Sequence, residues 1–394
     1  MAGFESFLLR LSLEVIRDYD FSVPLHRWLV TYFRENKKLG SRDRRGIREL
    51  VYSYFRIGKC LAEESEIFRM QTALFLTQFV HSGFIKELLS DSIYAGEDYL
   101  ALEQRIDFVV KNVPSFDVGC LFPFESTLSA GVNRNLLQVS QLQQPLVWIR
   151  IRPEFINQVN TELALNDVVP AIFYAPGILG LPQALNLDQF KTYAKGYFEI
   201  QDLSSQLTAD LYQPKAGESW WDCCAASGGK SLLLLDRQPD IRLTVSDIRR
   251  TSLQSLTERF KRNGYRTSNM FVADLSRADV AEIENRKFDG VLVDAPCSGS
   301  GTWGRTPEMA VAFNENQLPI LHQVQRTILT TASKFVRPGG KLIYITCSVF
   351  AAENEEVVNA LVQQGGFRVD DMQLFQSAAN RADTLFATRL IRTE

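Results

Sequence analysis

The chain has 394 residues, enough for two or three domains, and its 45% hydrophobic and 23% charged residues, with 23 Gly and 14 Pro, exclude a disordered or fibrous polypeptide. Its 43 Lys+Arg against 46 Asp+Glu leave a net charge of −3, so the surface as a whole is not the uniformly basic one that marks many nucleic-acid binders. Six cysteines, at positions 60, 120, 223, 224, 297 and 347, show no CxxC spacing; they are too sparse for a disulfide scaffold, suggest no metal site and fit a reducing, cytoplasmic setting.

The first twenty residues carry Glu5, Arg10 and Glu14 where a signal peptide would be apolar, so no targeting segment is expected there. Apolar residues such as Leu8, Leu11, Val15 and Ile16, then Ile47, Leu50, Val51 and Phe55, recur at three- and four-residue spacing, which predicts a helical domain over 1–115. Charge is uneven along the chain: residues 1–60 hold twelve Lys/Arg against seven Asp/Glu, and 61–120 hold four against ten. Within the basic end, Arg34, Lys37, Lys38, Arg42, Arg44, Arg45 and Arg48 crowd a Gly40-Ser41 turn that leads into a helix. Such a cluster is either a solvated helix face or a phosphate-contacting patch.

From Pro145 the pattern LVWIRIRP predicts a strand, followed by a helix over 155–163. The uncharged run 168–187 is interrupted by Pro170, Pro176 and Pro182, which suits strand and loop and argues against a membrane span. A small α/β domain is therefore expected over 116–195. Beyond residue 196, strands are expected at 220–223, 243–245, 270–272, 290–293 and 341–345, and helices at 251–263, 318–336 and 354–364. Alternation of this kind predicts a doubly wound, mainly parallel Rossmann-like sheet over 196–394, with ligands at the carboxyl ends of its strands.

Chemistry-bearing residues gather at those strand ends. In WWDCCAASGGKSLLLLD (220–236) a strand runs through Asp222 into a small-residue turn and a Leu-rich helix, a layout that brings a ligand close to backbone and helix N-terminus. It lacks the spacing of a P-loop. Three further strands are expected to close near Asp247, Asp274 and Asp294; one such acid is usually a cap, but four in succession point to a nucleoside-like ligand. Cys297 in DAPCSGSGT and Cys347 in TCSVFAAENEEVV follow adjacent expected strands, so two thiols could converge on one substrate. Glu353, Asn354 and Glu355 read as the cap and first turn of the next helix. Arg249, Arg250, Arg259, Lys261 and Arg262 read as a solvated helix face or an RNA groove, and Lys230 as a ligand to cofactor or phosphate or as a surface lysine.

The motifs DCCAASGGKS, DAPCSGSGT and TCSVFAAENEEVV, in this order and preceded by QDLSSQL (201–207), resemble the signature of the RNA cytosine-5 methyltransferases of the Sun or RsmB-like type. The resemblance covers the last half of the chain strongly, 120–195 in layout, and the helical N-terminal region loosely. It implies that Cys224, Ala225, Ala226, Ser227, Gly228, Gly229 and Lys230 wrap S-adenosylmethionine, with Asp247 on the ribose, Asp274 near the adenine and Asp294 at the substrate side. It makes Cys347 the nucleophile and Cys297 the thiol that helps release the product. Ser227 stands where the family usually has Pro, and WGRTPEMAVAF (303–313) departs from the usual Arg-rich form while keeping Arg305 and Pro307. The implied substrate is RNA, ribosomal before transfer RNA, held by a monomer with no metal and no membrane partner. A non-catalytic RNA-binding assembly factor, or a methyltransferase for a small molecule or protein, are the alternatives. A disulfide between Cys297 and Cys347 would silence the expected enzyme.

Overall fold

Because the N-terminal apolar residues repeat with the period of a helix, they fold as a stack of helices whose facing stripes are buried. The computed structural model describes residues 3–78, 82–97, 100–183, 185–267, 269–277, 280, 283 and 285–393, and of Phe4 the backbone alone. Two compact units emerge, one made of Met1–Glu125, Asn133–Gln144 and Trp303–Asn314, the other of Ser126–Val132, Pro145–Thr302 and Glu315–Glu394. Neither is bounded at residue 115 or 195.

The first unit contains α1 (Phe4–Asp18), α2 (Leu25–Glu35), α3 (Ser41–Arg56), α4 (Glu66–Thr77), α5 (Gly83–Leu89), α6 (Leu102–Asn112) and α7 (Arg134–Gln141). Val15, Leu25, Leu29, Ile47, Leu50, Val51, Leu74 and Val109 are fully buried in its core. Local capping starts several of these helices: Asp43 Oδ2 accepts from Gly40 N at 2.7 Å before α3, and Asn133 Oδ1 from Leu136 N at 3.0 Å in α7. Cys60 and Cys120 are joined by a disulfide in this unit, a pairing that the sparse cysteine count did not foretell and that departs from the reducing setting read from it.

The second unit begins with a four-stranded antiparallel sheet in the order β2-β3-β1-β4. Its elements are β1 (Val147–Ile151), α8 (Ile156–Leu165), β2 (Ile172–Ala175), β3 (Ile178–Leu181), α9 (Lys191–Ala194) and β4 (Phe198–Ile200). The short α10 (Leu203–Leu207) leads to β5 (Ser219–Asp222), α11 (Gly229–Arg237), β6 (Arg242–Asp247), α12 (Arg250–Arg262), β7 (Asn269–Val272) and β8 (Phe288–Asp294). After α13 (Pro307–Ala312), which belongs to the first unit, come α14 (Leu318–Ser333), β9 (Val336–Thr346), α15 (Glu355–Gln363), β10 (Phe367–Gln376) and β11 (Thr384–Arg392).

The large sheet has the order β10-β11-β9-β8-β5-β6-β7, with β9, β8, β5, β6 and β7 mutually parallel and β11 antiparallel to both its neighbours. The expected doubly wound sheet is therefore present, and the C-terminal hairpin is an addition that the period-based reading lacked. Trp220 and Trp221 are both fully buried but belong to different core clusters, as alternation along a strand covered on both faces requires. Strand order reverses at β5, so the crevice beyond the carboxyl ends of β5, β6 and β8 is the place where such sheets bind ligands.

One segment leaves its neighbours in sequence. Trp303–Asn314, including α13, fills the helical unit: Trp303 is buried against Phe122, Phe124 and Phe313, and Glu308 Oε1 accepts from Leu25 N at 3.2 Å, at the open N-terminus of α2. The buried Arg56 donates to the carbonyls of Gln141, Gln143 and Gly304, at 3.2, 3.1 and 2.9 Å.

Candidate active site

The loop from β5 to α11 takes its shape from Gly228, whose φ of 84° lies in the left-handed region, and a Cβ there would meet Leu256 Cγ at 2.8 Å. Ala226 also has a positive φ, 46°, and its N–H donates to Asp247 Oδ2 at 2.9 Å. Asp247 is the last residue of β6, is buried, and accepts a second bond from Arg249 N at 2.8 Å through Oδ1. Ser227 is exposed at the loop tip, its Oγ 3.4 Å from Arg259 Nη1.

Asp222 closes β5 and is fully buried. Its Oδ2 accepts from Ser231 Oγ at 2.5 Å, while Oδ1 has no hydrogen-bond partner among the described residues. Burial raises its pKa to about 7. An orphaned buried oxygen, a small-residue turn and a helix N-terminus meeting at one strand end fit a ligand that carries a nucleoside and a cationic group.

Asp294 closes β8, and its Oδ2 lies 2.8 Å from Lys230 Nζ in the first turn of α11. Burial pushes the Lys230 ammonium down, but Asp294 and other neighbours more than reverse this, so its pKa lies above the ordinary value. Lys230 is thus an ion-pair partner of Asp294 and not a surface lysine, with 13% of its side chain exposed. Asp274 differs from the other three acids: it lies two residues beyond β7, accepts from Ser276 N and Oγ at 3.0 and 2.5 Å, and stands 3.1 Å from Arg277. Its carboxylate is engaged in a local turn.

The two thiols meet. Cys297 follows β8, Cys347 follows β9, and their Sγ atoms are 3.3 Å apart. The hydrogen bond to Cys347 and then burial hold the Cys297 thiol well above its ordinary pKa. Gly301, in the Cys297 loop, donates to Cys347 O at 2.9 Å, and a Cβ at Gly301 would lie 1.9 Å from Thr384 O, so only glycine lets these backbones approach.

Asn354 holds the N-cap position of α15 and Glu355 opens the helix, as read, but the side chains of Glu353 and Asn354 bond into the loops of this centre. Glu353 and Asn354 are fully buried before α15, and neither caps it with a side chain. Glu353 reaches into the loops that carry both cysteines. Asn354 Nδ2 donates to Ser348 O at 2.9 Å and to Ser129 Oγ at 2.6 Å, and Thr346 donates to Asn354 Oδ1. Residues 126–132 run beside the Cys347 loop: Ser129 N donates to Val349 O and Ala351 N to Thr127 O, both at 2.9 Å. The repeated Ser and Asn in these loops were the available signal.

The basic residues of α12 divide. Arg259 and Arg262 grip the buried Glu199 of β4 at 2.6 and 2.7 Å, and Asn263 donates to it at 2.5 Å, so neither arginine belongs to a merely solvated face or an open RNA groove. Burial alone would raise the pKa of Glu199, but Arg259 and its other partners hold it below the usual carboxylate range. Arg249, Arg250 and Lys261 are exposed. Arg150 of β1 pairs with Asp236, which also accepts from Tyr265 OH at 2.8 Å.

Among the described residues no cluster of His, Cys, Asp or Glu is arranged to hold a metal ion, and no helix is long and apolar enough to cross a membrane.

Comparison with known proteins places the chain beside RNA-modifying relatives and shows the fold it shares with solved structures. Residues 209–390 match the family described as 16S rRNA methyltransferase RsmB/F. The chain is 28% identical over 234 residues to ribosomal RNA small subunit methyltransferase B of Vibrio cholerae, covering 59% of this chain and 53% of that protein. It is 36% identical over 189 residues to the protein of the same name from Xylella fastidiosa, covering 46% and 44%. The chain thus spans about half the length of these curated relatives. Among solved structures, that of PH0851 aligns over 99% of both chains with a TM-score of 0.71 at 20% identity, and NSun6 from Pyrococcus horikoshii over 64% and 92% with 0.56 at 19%, which establishes a shared fold. Residues 209–390, which carry the strand-end acids and the paired cysteines, are thus the part of the chain that is similar to the RsmB/F family of methyltransferases.

Proposed function

We propose that this protein transfers a methyl group from S-adenosylmethionine to C5 of cytosine in RNA, through a covalent bond between Cys347 and C6. The observation that carries the reading is the 3.3 Å approach of Cys297 and Cys347 beside the Lys230–Asp294 pair, because methylating a carbon as weakly nucleophilic as C5 calls for prior activation by a thiolate. Residues 224–230 and Asp247 would hold the cofactor, with Asp274 at its outer, adenine side. When bound, the cofactor supplies an electrophilic methyl group.

As the thiolate, Cys347 Sγ uses its electron pair to form the bond to C6, and the displaced C5–C6 π pair makes C5 nucleophilic. Asp294 receives the N3/N4 edge of the base, with Lys230 fixing the carboxylate. Once C5 is methylated its proton leaves and the C6–S bond breaks, which regenerates the Cys347 sulfur. Cys297, whose sulfur lies 3.3 Å from that of Cys347, is assigned as the base for this step. Such a pocket admits an unstacked base, hence a flipped or single-stranded cytosine.

Ribosomal RNA is favoured over transfer RNA because the curated relatives are named ribosomal RNA small subunit methyltransferases. The helical unit offers a second RNA surface. Arg34, Lys37, Lys38, Arg45 and Arg48 are exposed around the α2–α3 turn, on the helices that carry the stacked rings of Trp28 and Tyr32, whereas Arg44 is engaged with Leu39 O at 2.9 Å.

The test is methyl transfer from labelled S-adenosylmethionine to small-subunit ribosomal RNA. Wild type should label cytosine C5, Cys347→Ala should not, and Cys297→Ala should accumulate a covalent protein–RNA adduct. Cofactor binding without turnover would favour a non-catalytic RNA-binding assembly factor, and an adduct trapped by Cys347→Ala would exchange the two cysteine roles.

A further inference from the structure

Each thiol is followed by a serine, in Cys297-Ser298 and Cys347-Ser348, and both serine hydroxyls donate to one oxygen, Glu353 Oε2, at 2.5 Å each. The other oxygen, Oε1, accepts from Ser298 N at 2.8 Å and from Gln325 Nε2 of α14 at 2.9 Å. Gln325 Nε2 also donates to Pro296 O at 2.9 Å, directly before Cys297, and Tyr344 OH donates to Glu353 O at 2.7 Å. One carboxylate therefore ties together the loop after β8, the loop after β9 and α14. Burying a carboxylate completely is costly unless its oxygens are satisfied, and four donors satisfy this one. None of those donors is an α15 backbone amide, so capping does not account for the arrangement.

We infer that Glu353 is a positioning residue: by holding both Cys-Ser pairs on one carboxylate oxygen, it sets the distance between the Cys297 and Cys347 sulfurs. This rests on the two-cysteine reaction proposed above for its functional meaning, while the distance itself can be tested without that reaction. Ser298 and Ser348 act in the same device from either side. Because the thiols sit on separate loops, freeing either serine lets one sulfur drift from the other. A near-attack geometry tolerates little such drift.

The full chain is treated with dibromobimane, a bifunctional thiol alkylator, and the ratio of Cys297–Cys347 cross-link to single alkylation is read by peptide mass. Glu353→Ala should lower that ratio about tenfold, since the effective concentration of one thiol at the other falls. Ser298→Ala/Ser348→Ala should shift it in the same direction. Glu353→Gln, whose amide oxygen still accepts both hydroxyls, should restore much of it. In methyl transfer, Glu353→Ala should cut kcat about 100-fold with KM for RNA within about twofold, and Glu353→Gln should recover part of the loss.

A folded Glu353→Ala that cross-links like wild type overturns the inference, whatever its activity. Should Glu353→Ala fail to fold, the double serine variant decides on the same criterion. A lowered ratio in a protein whose wild type methylates no RNA sustains the positioning role and removes the proposed reaction instead.

Discussion

Lys230 Nζ lies 2.8 Å from Asp294 Oδ2, linking the first turn of α11 to the last residue of β8. Both groups are largely shielded from water, with 13% and 32% of their side chains exposed, so each depends on the other. Lys230→Met should destabilise the protein by about 2 kcal/mol, less than a wholly buried pair would lose. Denaturant titration checks this, and the double variant with Asp294→Asn should cost less than the sum of the singles.

Asp222 yields a pH dependence whose sign follows from burial. Its carboxyl titrates at about 7 in the folded chain against 3.8 when exposed, so between those values the folded state keeps a proton that the unfolded state has lost. The native carboxyl consequently lowers stability progressively from pH 4 to pH 7, by on the order of 4 kcal/mol, and the full cost persists above pH 7. Asp222→Asn should flatten this part of the profile in denaturant titrations at stepped pH.

Gly301→Ala places a methyl group against Thr384 O, beside the loop that bonds to Cys347 O. Overpacking of this kind should cost about 1–3 kcal/mol. Adduct formation by the Cys297→Ala background should fall at the same time, as read by protein–RNA species that survive denaturing electrophoresis.

Charge removal at the α2–α3 turn tests the second RNA surface. Lys37→Gln, Lys38→Gln and Arg45→Gln together should weaken RNA binding and reduce the slope of log affinity against log salt by about 2, or roughly 0.7 per lost phosphate contact. Filter binding across a salt series reads both. A slope equal to that of wild type would return this cluster to a solvated face.

The Cys60–Cys120 disulfide closes a sequence separation of 60 residues. Cys60→Ser/Cys120→Ser should lose about 4 kcal/mol through the larger freedom of the unfolded chain. Thermal melting with and without reductant should reproduce the difference in wild type and leave the double variant unmoved by reductant.

Sequence alone determined the parallel strands and the positions of the chemistry on them. Apolar runs and small-residue turns are local patterns, so 220–223, 243–245, 270–272 and 290–293 each fall on an observed strand to within a residue or two, and Asp222, Asp247 and Asp294 each end one. The order of motifs along the chain was equally legible, whereas their order across the sheet, which reverses at β5, belongs to the tertiary structure.

Only tertiary structure decided which side chains share a site. The 3.3 Å between Cys297 and Cys347 spans 50 residues of sequence and depends on β8 pairing with β9. Glu353 read as a cap because its neighbours in sequence begin a helix, yet its partners come from two other loops and α14. The same holds for Arg259 and Arg262, whose charge is engaged by Glu199 some 60 residues away, and for Trp303–Asn314, which sits between strands of one unit and fills the core of the other. A period in the sequence records what each segment buries, whereas hydrogen-bond and ion-pair partners are chosen by the packing that brings distant segments together.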